Sequence, residues 1–161
     1  MPAPRVFASA AALMFLVAGA CQAQAPEQPR YVLKESQTGS AIAREVLTSL
    51  LPLNKDYAQL TAEEKALMRS QYVDMKPEDE PPYPVGGVGK LYDTIRQGAS
   101  RLNVHGQFSI VVRVGSDGAA TGAEVLQAPT AESGRFVASA GVLTQYKPAV
   151  CAGQACAMDF P

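Results

Sequence analysis

The spacing of apolar residues is helical in the first half of the chain. Between residues 42 and 51, apolar side chains recur at positions that lie on one face of a helix, and Pro52 should end that helix. A second helix is expected from Thr61, because Thr61 and Glu64 have the spacing of a capping box. The pattern therefore predicts a helical N-terminal region over residues 31–76.

The second half of the chain alternates between the helical and the strand period. The predicted elements are, in order, a helix over 88–102, a strand over 107–114, a turn at 115–118, a second strand over 119–127, a helix near 131–145 that Thr130 caps, and a third strand region from Pro148. A strand–strand–helix–strand order predicts an α+β fold, in which helices pack on one face of a small antiparallel sheet.

The two halves are joined by residues 77–87, which contain four prolines, three acidic residues and two glycines. This composition is typical of a Pro-rich linker or an extended strap. The acids Glu78, Asp79 and Glu80 are expected to form a solvated turn. A calcium site is not expected there, because the EF-hand spacing is absent.

The N-terminus has the pattern of an export signal. Fifteen uncharged residues follow Arg5 and end in Ala18-Gly19-Ala20, so residues 1–20 are interpreted as a signal peptide. The same ending resembles a bacterial lipobox, in which Cys21 would carry the lipid. A secreted protein and a lipoprotein therefore both remain open. The polar residues 21–30, which include two prolines, are interpreted as a flexible tether.

Composition and charge exclude several classes of function. The 14 basic and 15 acidic residues give a net charge of -1, which argues against a nucleic-acid-binding surface. His105 is the single histidine and has no nucleophile motif beside it, and Gly86–Lys90 lacks the spacing of a phosphate-binding loop. We therefore expect a protein that is not an enzyme and that carries no cofactor and no metal ion.

The cysteine pair Cys151 and Cys156 has neither the C-x-x-C redox spacing nor the ligands of a zinc site. A four-residue hairpin loop would place the two residues opposite each other at a separation that suits a disulfide. In an exported protein, a structural disulfide between Cys151 and Cys156 is the favoured interpretation.

Several short motifs in the second half occur in the order of a known domain. They are Tyr83-Pro84, the glycine-led strand at 106–114, Asp117-Gly118, and Tyr146-Lys147-Pro148-Ala149 followed by Gly153. This order resembles the TonB C-terminal domain and assigns residues 88–161 to a TonB C-terminal-like domain. The resemblance implies binding of extended segments of outer-membrane transporters, or of another envelope protein, by strand addition.

The predicted partner-binding edge is the last strand, formed by Ala157, Met158, Asp159 and Phe160. One predicted function is a TonB-like periplasmic binding module associated with transmembrane transport. The other is a structural or accessory envelope lipoprotein that keeps the fold without energy transduction, because a tether over residues 21–30 is short for crossing the periplasm. Both functions place the mature protein outside the cytoplasm, in the periplasm or attached by lipid to an envelope membrane.

Overall fold

The computed structural model describes residues 29–34 and 51–161. The signal peptide predicted over 1–20, the lipidation site Cys21, most of the predicted tether, and the helix predicted over 42–51 apart from Leu51 lie outside these residues.

The described residues form three α-helices and seven short strands. The helices are α1 (Ala62–Arg69), α2 (Gly89–Arg101) and α3 (Ala131–Leu143). The strands are β1 (Tyr83–Pro84), β2 (Ser109–Val114), β3 (Ala120–Gln127), β4 (Tyr146–Lys147), β5 (Ala149–Cys151), β6 (Gln154–Cys156) and β7 (Met158–Phe160). This mixture confirms the predicted α+β class.

The main sheet is antiparallel and has the strand order β3-β2-β7. The turn predicted between β2 and β3 is present, since the Gly118 N–H donates to the Gly115 carbonyl at 3.0 Å. Two smaller antiparallel pairs join β1 to β4 and β5 to β6. The region predicted as one third strand is therefore a hairpin followed by β7, and only β7 joins the main sheet.

The β5–β6 hairpin is tighter than the sequence indicated. Cys151 pairs with Gln154, so the loop has two residues, and both of them have a positive φ, 50° at Ala152 and 79° at Gly153. Two successive positive φ angles are the requirement of a type I′ turn. Cys151 and Cys156 are consequently diagonal rather than opposite, and they form a disulfide pair with their Cα atoms 5.9 Å apart.

Both predicted helix caps are present. At the start of α1, the Glu64 N–H donates to Thr61 Oγ1 at 3.2 Å, and the Thr61 N–H donates to the Glu64 carboxylate at 2.7 Å. At the start of α3, the Ser133 N–H donates to Thr130 Oγ1 at 3.1 Å. These bonds satisfy N–H groups that a helix leaves without partners in its first turn.

One hydrophobic core joins the described part of the N-terminal region to the main sheet. Its buried members are Leu51, Tyr57, Leu60, Met68, Tyr83, Val88, Val112, Val114, Tyr146 and Phe160. Helix α3 packs against the same face of the sheet, because a Cβ at Gly141 would lie 2.8 Å from Val112 Cγ2. The residues from Leu51 onward thus share a core with the C-terminal part of the chain.

The segment predicted as a linker is packed into the protein. Pro81, Pro82, Tyr83 and Pro84 are buried, and Glu80 and Val150 exchange two backbone hydrogen bonds of 2.9 and 2.8 Å. The expectation of a solvated acidic turn is wrong for Asp79, whose exposed fraction is 3%. Its burial is tolerated because two donors from distant parts of the chain reach its carboxylate.

Candidate functional site

The last strand, β7, is one edge of the main sheet, and its side chains are mostly buried. Met158 and Phe160 face the core with exposed fractions of 0% and 7%, and Ala157, just before the strand, is also buried. Asp159 lies on the opposite face, where its carboxylate is 3.5 Å from Arg113 Nε. The pKa of Asp159 is raised, because the effect of its burial is larger than the opposing effect of the Arg113 charge.

The backbone at the outer edge of β7 already has partners. The Arg30 N–H donates to the Ala157 carbonyl at 3.1 Å, and the Tyr72 hydroxyl donates to the Asp159 carbonyl at 2.7 Å. Backbone groups alternate between the two sides of a strand, so the carbonyls of Ala157 and Asp159 are the ones that turn away from β2. A guest strand at this edge would have to displace both contacts.

Residues 29–34 form the cover over this edge. The Val73 N–H donates to the Val32 carbonyl at 3.0 Å, and the Lys34 N–H donates to the Gln71 carbonyl at 2.8 Å. The Tyr31 hydroxyl donates to the Asp79 carboxylate at 2.5 Å. The cover is therefore held by backbone and side-chain bonds, and its side chains Tyr31 and Leu33 pack on the buried cluster that contains Met158.

The other edge of the sheet is β3, and no strand of the described residues pairs with its outer side. In the register with β2, Arg113 opposes Gly122 and Val111 opposes Glu124. The backbone groups of Arg113 and Val111 turn toward β3, since the alternate residues of β2 bond to β7. By the same alternation, the backbone N–H and C=O groups of Ala123 and Val125 turn outward.

Two irregularities limit the open part of β3. The pairing between β3 and β2 shifts its register near each end of β3. These shifts leave Thr121 and Leu126 with no residue opposite them on β2. Between them, the four residues from Gly122 to Val125 pair regularly with β2. The open edge is therefore a short window of regular strand with a bulge at each end.

The β3 edge is lined by small and apolar residues on one face and by an acid on the other. Val125 packs on α3, where a Cβ at Gly134 would lie 3.3 Å from its Cγ1, and Ala138 follows Gly134 by one helical turn. Val125 and Leu126 are 38% and 46% exposed, and the Glu124 side chain is exposed on the other face of the sheet.

Sequence reasoning selected β7 and missed β3, whose outer side has no partner strand in the described part of the chain. The sequence contains a signal that β3 is exposed, because Val125 and Leu126 are consecutive apolar residues in a predicted strand. Consecutive side chains of a strand point to opposite faces, so one of the two cannot face the core unless the strand is irregular. The cover over β7 had no comparable signal.

The other candidate features of the described residues are a cavity beside Tyr57 and the exposed His105, and neither offers a strand edge. A cavity of about 290 Å³ lies beside Tyr57, where the ammonium groups of Lys65 and Lys147 are 5.2 and 4.8 Å from the ring centroid. Lys147 is neutralised there by Glu80 at 2.9 Å. His105 is exposed, and within residues 29–34 and 51–161 no group of His, Cys, Asp and Glu side chains could hold a metal ion.

Comparison with known proteins identifies no family. No protein-family model matches the chain, and neither a curated protein nor a solved structure matches it. Within the two described ranges, no helix has the length and apolar character needed to span a membrane.

Proposed function

We propose that this protein is an exported, TonB-like binding module of the bacterial envelope that binds an extended segment of a partner protein by strand addition at β3. The observation that carries the proposal is the difference between the two edges. The outward carbonyls next to and within β7 accept hydrogen bonds from Arg30 and Tyr72, whereas no strand of the described residues pairs with the outer side of β3. An open edge offers a guest strand its backbone donors and acceptors.

The size of the open window bears on the strength of such a complex. Ala123 and Val125 together offer two N–H and two C=O groups, so a guest strand would form about four backbone hydrogen bonds. At roughly 1 kcal/mol of net stabilisation each, these bonds contribute about 4 kcal/mol. Contacts with the exposed apolar side chains of Val125 and Leu126 would add to this, and the result is a transient interaction.

The choice of β3 differs from the edge predicted from the sequence. A guest strand on Ala157–Phe160 would compete with residues 29–34 and with the Tyr72 hydroxyl, and it would expose the apolar cluster under Tyr31 and Leu33. At β3, the described residues pair no strand with the outer side that a guest strand would have to displace. Strand addition at β3 therefore requires less rearrangement.

The proposed location is the periplasm or the periplasmic face of an envelope membrane. The signal-like residues before Cys21 support export. The disulfide geometry of Cys151 and Cys156 is consistent with it, because structural disulfides persist in oxidising compartments. The outer-membrane transporter as partner, and lipid at Cys21, both belong to this proposal.

A second candidate function is a structural or accessory envelope lipoprotein without a peptide-binding role. The observation that favours it is the closed β7 edge, together with the core that joins residues from Leu51 onward to the sheet. A protein with this role would keep the fold and would bind no extended peptide at either edge.

The test compares one proline substitution on each edge of the full chain. Proline removes a backbone donor and its ring obstructs a neighbouring strand, so Ala123→Pro should weaken binding about tenfold while the inner ladder with β2 stays intact. Asp159→Pro makes the matched change on β7 and should leave binding unchanged. Circular dichroism verifies that both variants are folded.

The probes are fluorescently labelled synthetic peptides that copy short extended segments of outer-membrane transporters. Binding that is about tenfold weaker in Ala123→Pro and unchanged in Asp159→Pro supports strand addition at β3. The opposite pattern would move the site to β7. If no peptide binds the unmodified protein, the binding function is refuted and the accessory lipoprotein remains.

A further inference from the structure

We propose that the β3 edge selects guest strands that carry a basic residue opposite Glu124, flanked by apolar residues that face α3. This inference rests on the proposed strand addition at β3 and specifies the chemistry of the partner. It follows from the charge of Glu124, from the register of β3, and from the surface that α3 presents beside this edge.

The carboxylate of Glu124 has no cationic partner among the described residues. The ion pairs within residues 29–34 and 51–161 are Lys55–Glu64, Arg96–Asp93, Arg113–Asp159 and Lys147–Glu80. Arg113 shares the solvent-facing side of the sheet with Glu124 but is paired with Asp159 at 3.5 Å. The open side of β3 therefore presents an exposed negative charge that no described side chain neutralises.

The register places this charge at the centre of the window. Ala123 and Val125 direct their backbone groups outward, and Glu124 lies between them with its backbone directed toward Val111. In an antiparallel guest strand, the residue opposite Glu124 would belong to a non-hydrogen-bonded pair, in which the Cα atoms are about 4.5 Å apart and the side chains are closest. A lysine or arginine at this position would pair with Glu124.

The neighbours of that basic residue would point to the other face, toward α3. On that face Val125 packs against the buried Gly134 of α3, and the Val125 side chain remains 38% exposed. Apolar guest side chains on this face would cover the exposed part of Val125. The recognised pattern is therefore apolar–basic–apolar over three consecutive residues.

The same charge argues against a second copy of this chain as the occupant. In a symmetric antiparallel pairing of two β3 strands that uses both outward positions, Ala123 of one copy opposes Val125 of the other. Glu124 would then oppose Glu124, and like charges directly opposite each other are destabilising. A partner of different sequence, with a basic residue at this position, fits the edge better.

The test uses three capped synthetic peptides whose central sequence is Ala-Val-Lys-Val-Ala, Ala-Val-Gln-Val-Ala or Ala-Val-Glu-Val-Ala. Each is titrated into the labelled full chain at low ionic strength. An opposite-charge cross-strand pair raises the affinity by about threefold relative to a neutral pair, and a like-charge pair lowers it by a similar factor. We expect the lysine peptide to bind about tenfold more tightly than the glutamate peptide.

Variants of Glu124 separate this pairing from general attraction of basic peptides. Glu124→Lys should reverse the order of the three peptides, and Glu124→Gln should make their affinities similar. Glu78→Lys is the matched control, because it makes the same change of net charge at an exposed position beside the segment that contacts the β5–β6 hairpin. This control should keep the original order.

The outcomes distinguish this inference from the function on which it rests. Equal binding of the three peptides, weakened alike by Ala123→Pro, would overturn the selectivity and leave strand addition in place. No binding of any peptide would overturn both. Self-association that increases with protein concentration and is lost in Ala123→Pro would identify a second copy as the occupant and overturn the selectivity for a basic partner.

Discussion

Asp79 joins three separate parts of the chain, and its replacement should destabilise the protein strongly. Its carboxylate accepts a hydrogen bond from the Tyr31 hydroxyl at 2.5 Å and another from the Ala152 N–H at 2.8 Å. These contacts connect the cover over β7 to the β5–β6 hairpin. The predicted perturbation is Asp79→Ala, which removes both acceptors from a side chain that is 3% exposed.

The magnitude follows from the two hydrogen bonds. A bond to an ionised group contributes about 1.5–3 kcal/mol to stability. The Tyr31 side chain is half-buried and can bond to water after the substitution, so the lower end of this range applies. Asp79→Ala should therefore reduce the free energy of unfolding by about 3 kcal/mol, and Asp79→Asn, which keeps one acceptor oxygen, should reduce it by about half as much.

The effect should depend on pH in a defined direction. The hydrogen bond from Tyr31, followed by that from Ala152, lowers the pKa of Asp79 in the folded protein below the ordinary value of 3.8. A carboxyl group whose pKa is lower in the folded than in the unfolded protein stabilises the folded state. This stabilisation is complete at pH values above the unfolded-state pKa, and it is lost as the pH falls through the folded-state pKa. The difference in stability between the unmodified protein and Asp79→Ala should thus be largest at neutral pH and smaller in acid.

Urea denaturation followed by circular dichroism, at pH 7 and at pH 3, measures these differences. Glu78→Ala is the control, since it removes a neighbouring acid that is exposed. A double-mutant cycle with Tyr31→Phe isolates the hydroxyl–carboxylate contact. The reasoning fails if Asp79→Ala lies within about 0.5 kcal/mol of Glu78→Ala at pH 7, the range of ordinary surface substitutions.

Two further predictions concern helix packing and export. A Cβ at Gly141 would lie 2.8 Å from Val112 Cγ2, whereas one at Gly134 would lie 3.3 Å from Val125 Cγ1. Gly141→Ala should therefore lower the free energy of unfolding by about 1–2 kcal/mol despite its higher helix propensity, and Gly134→Ala should change it by less than about 1 kcal/mol; equal effects in thermal unfolding would contradict this. In intact-mass measurements, protein from the native envelope should begin at Cys21. An additional lipid-sized mass that disappears in Cys21→Ala would establish the lipoprotein. A chain that still starts at Met1 would refute export with cleavage.

Local features of this fold were predictable from the sequence. The caps at Thr61 and Thr130 involve bonds between residues three positions apart, and the turn at 115–118 is likewise a contact between near neighbours. The periods of the apolar residues predicted α2, β2, β3 and α3 to within a few positions. Such features depend on neighbours along the chain, so a short stretch of sequence contains the information that determines them.

The state of the sheet edges was decided only by the tertiary structure. The cover over β7 depends on Tyr72 meeting Asp159 and on Arg30 meeting Ala157, and the burial of Asp79 depends on Tyr31 and Ala152. These partners are from 48 to 127 positions apart, and each bond is weak until the others hold the segments together. No periodicity or motif encodes such a contact, so the final strand looked open in the sequence, and its cover became evident only in the tertiary structure.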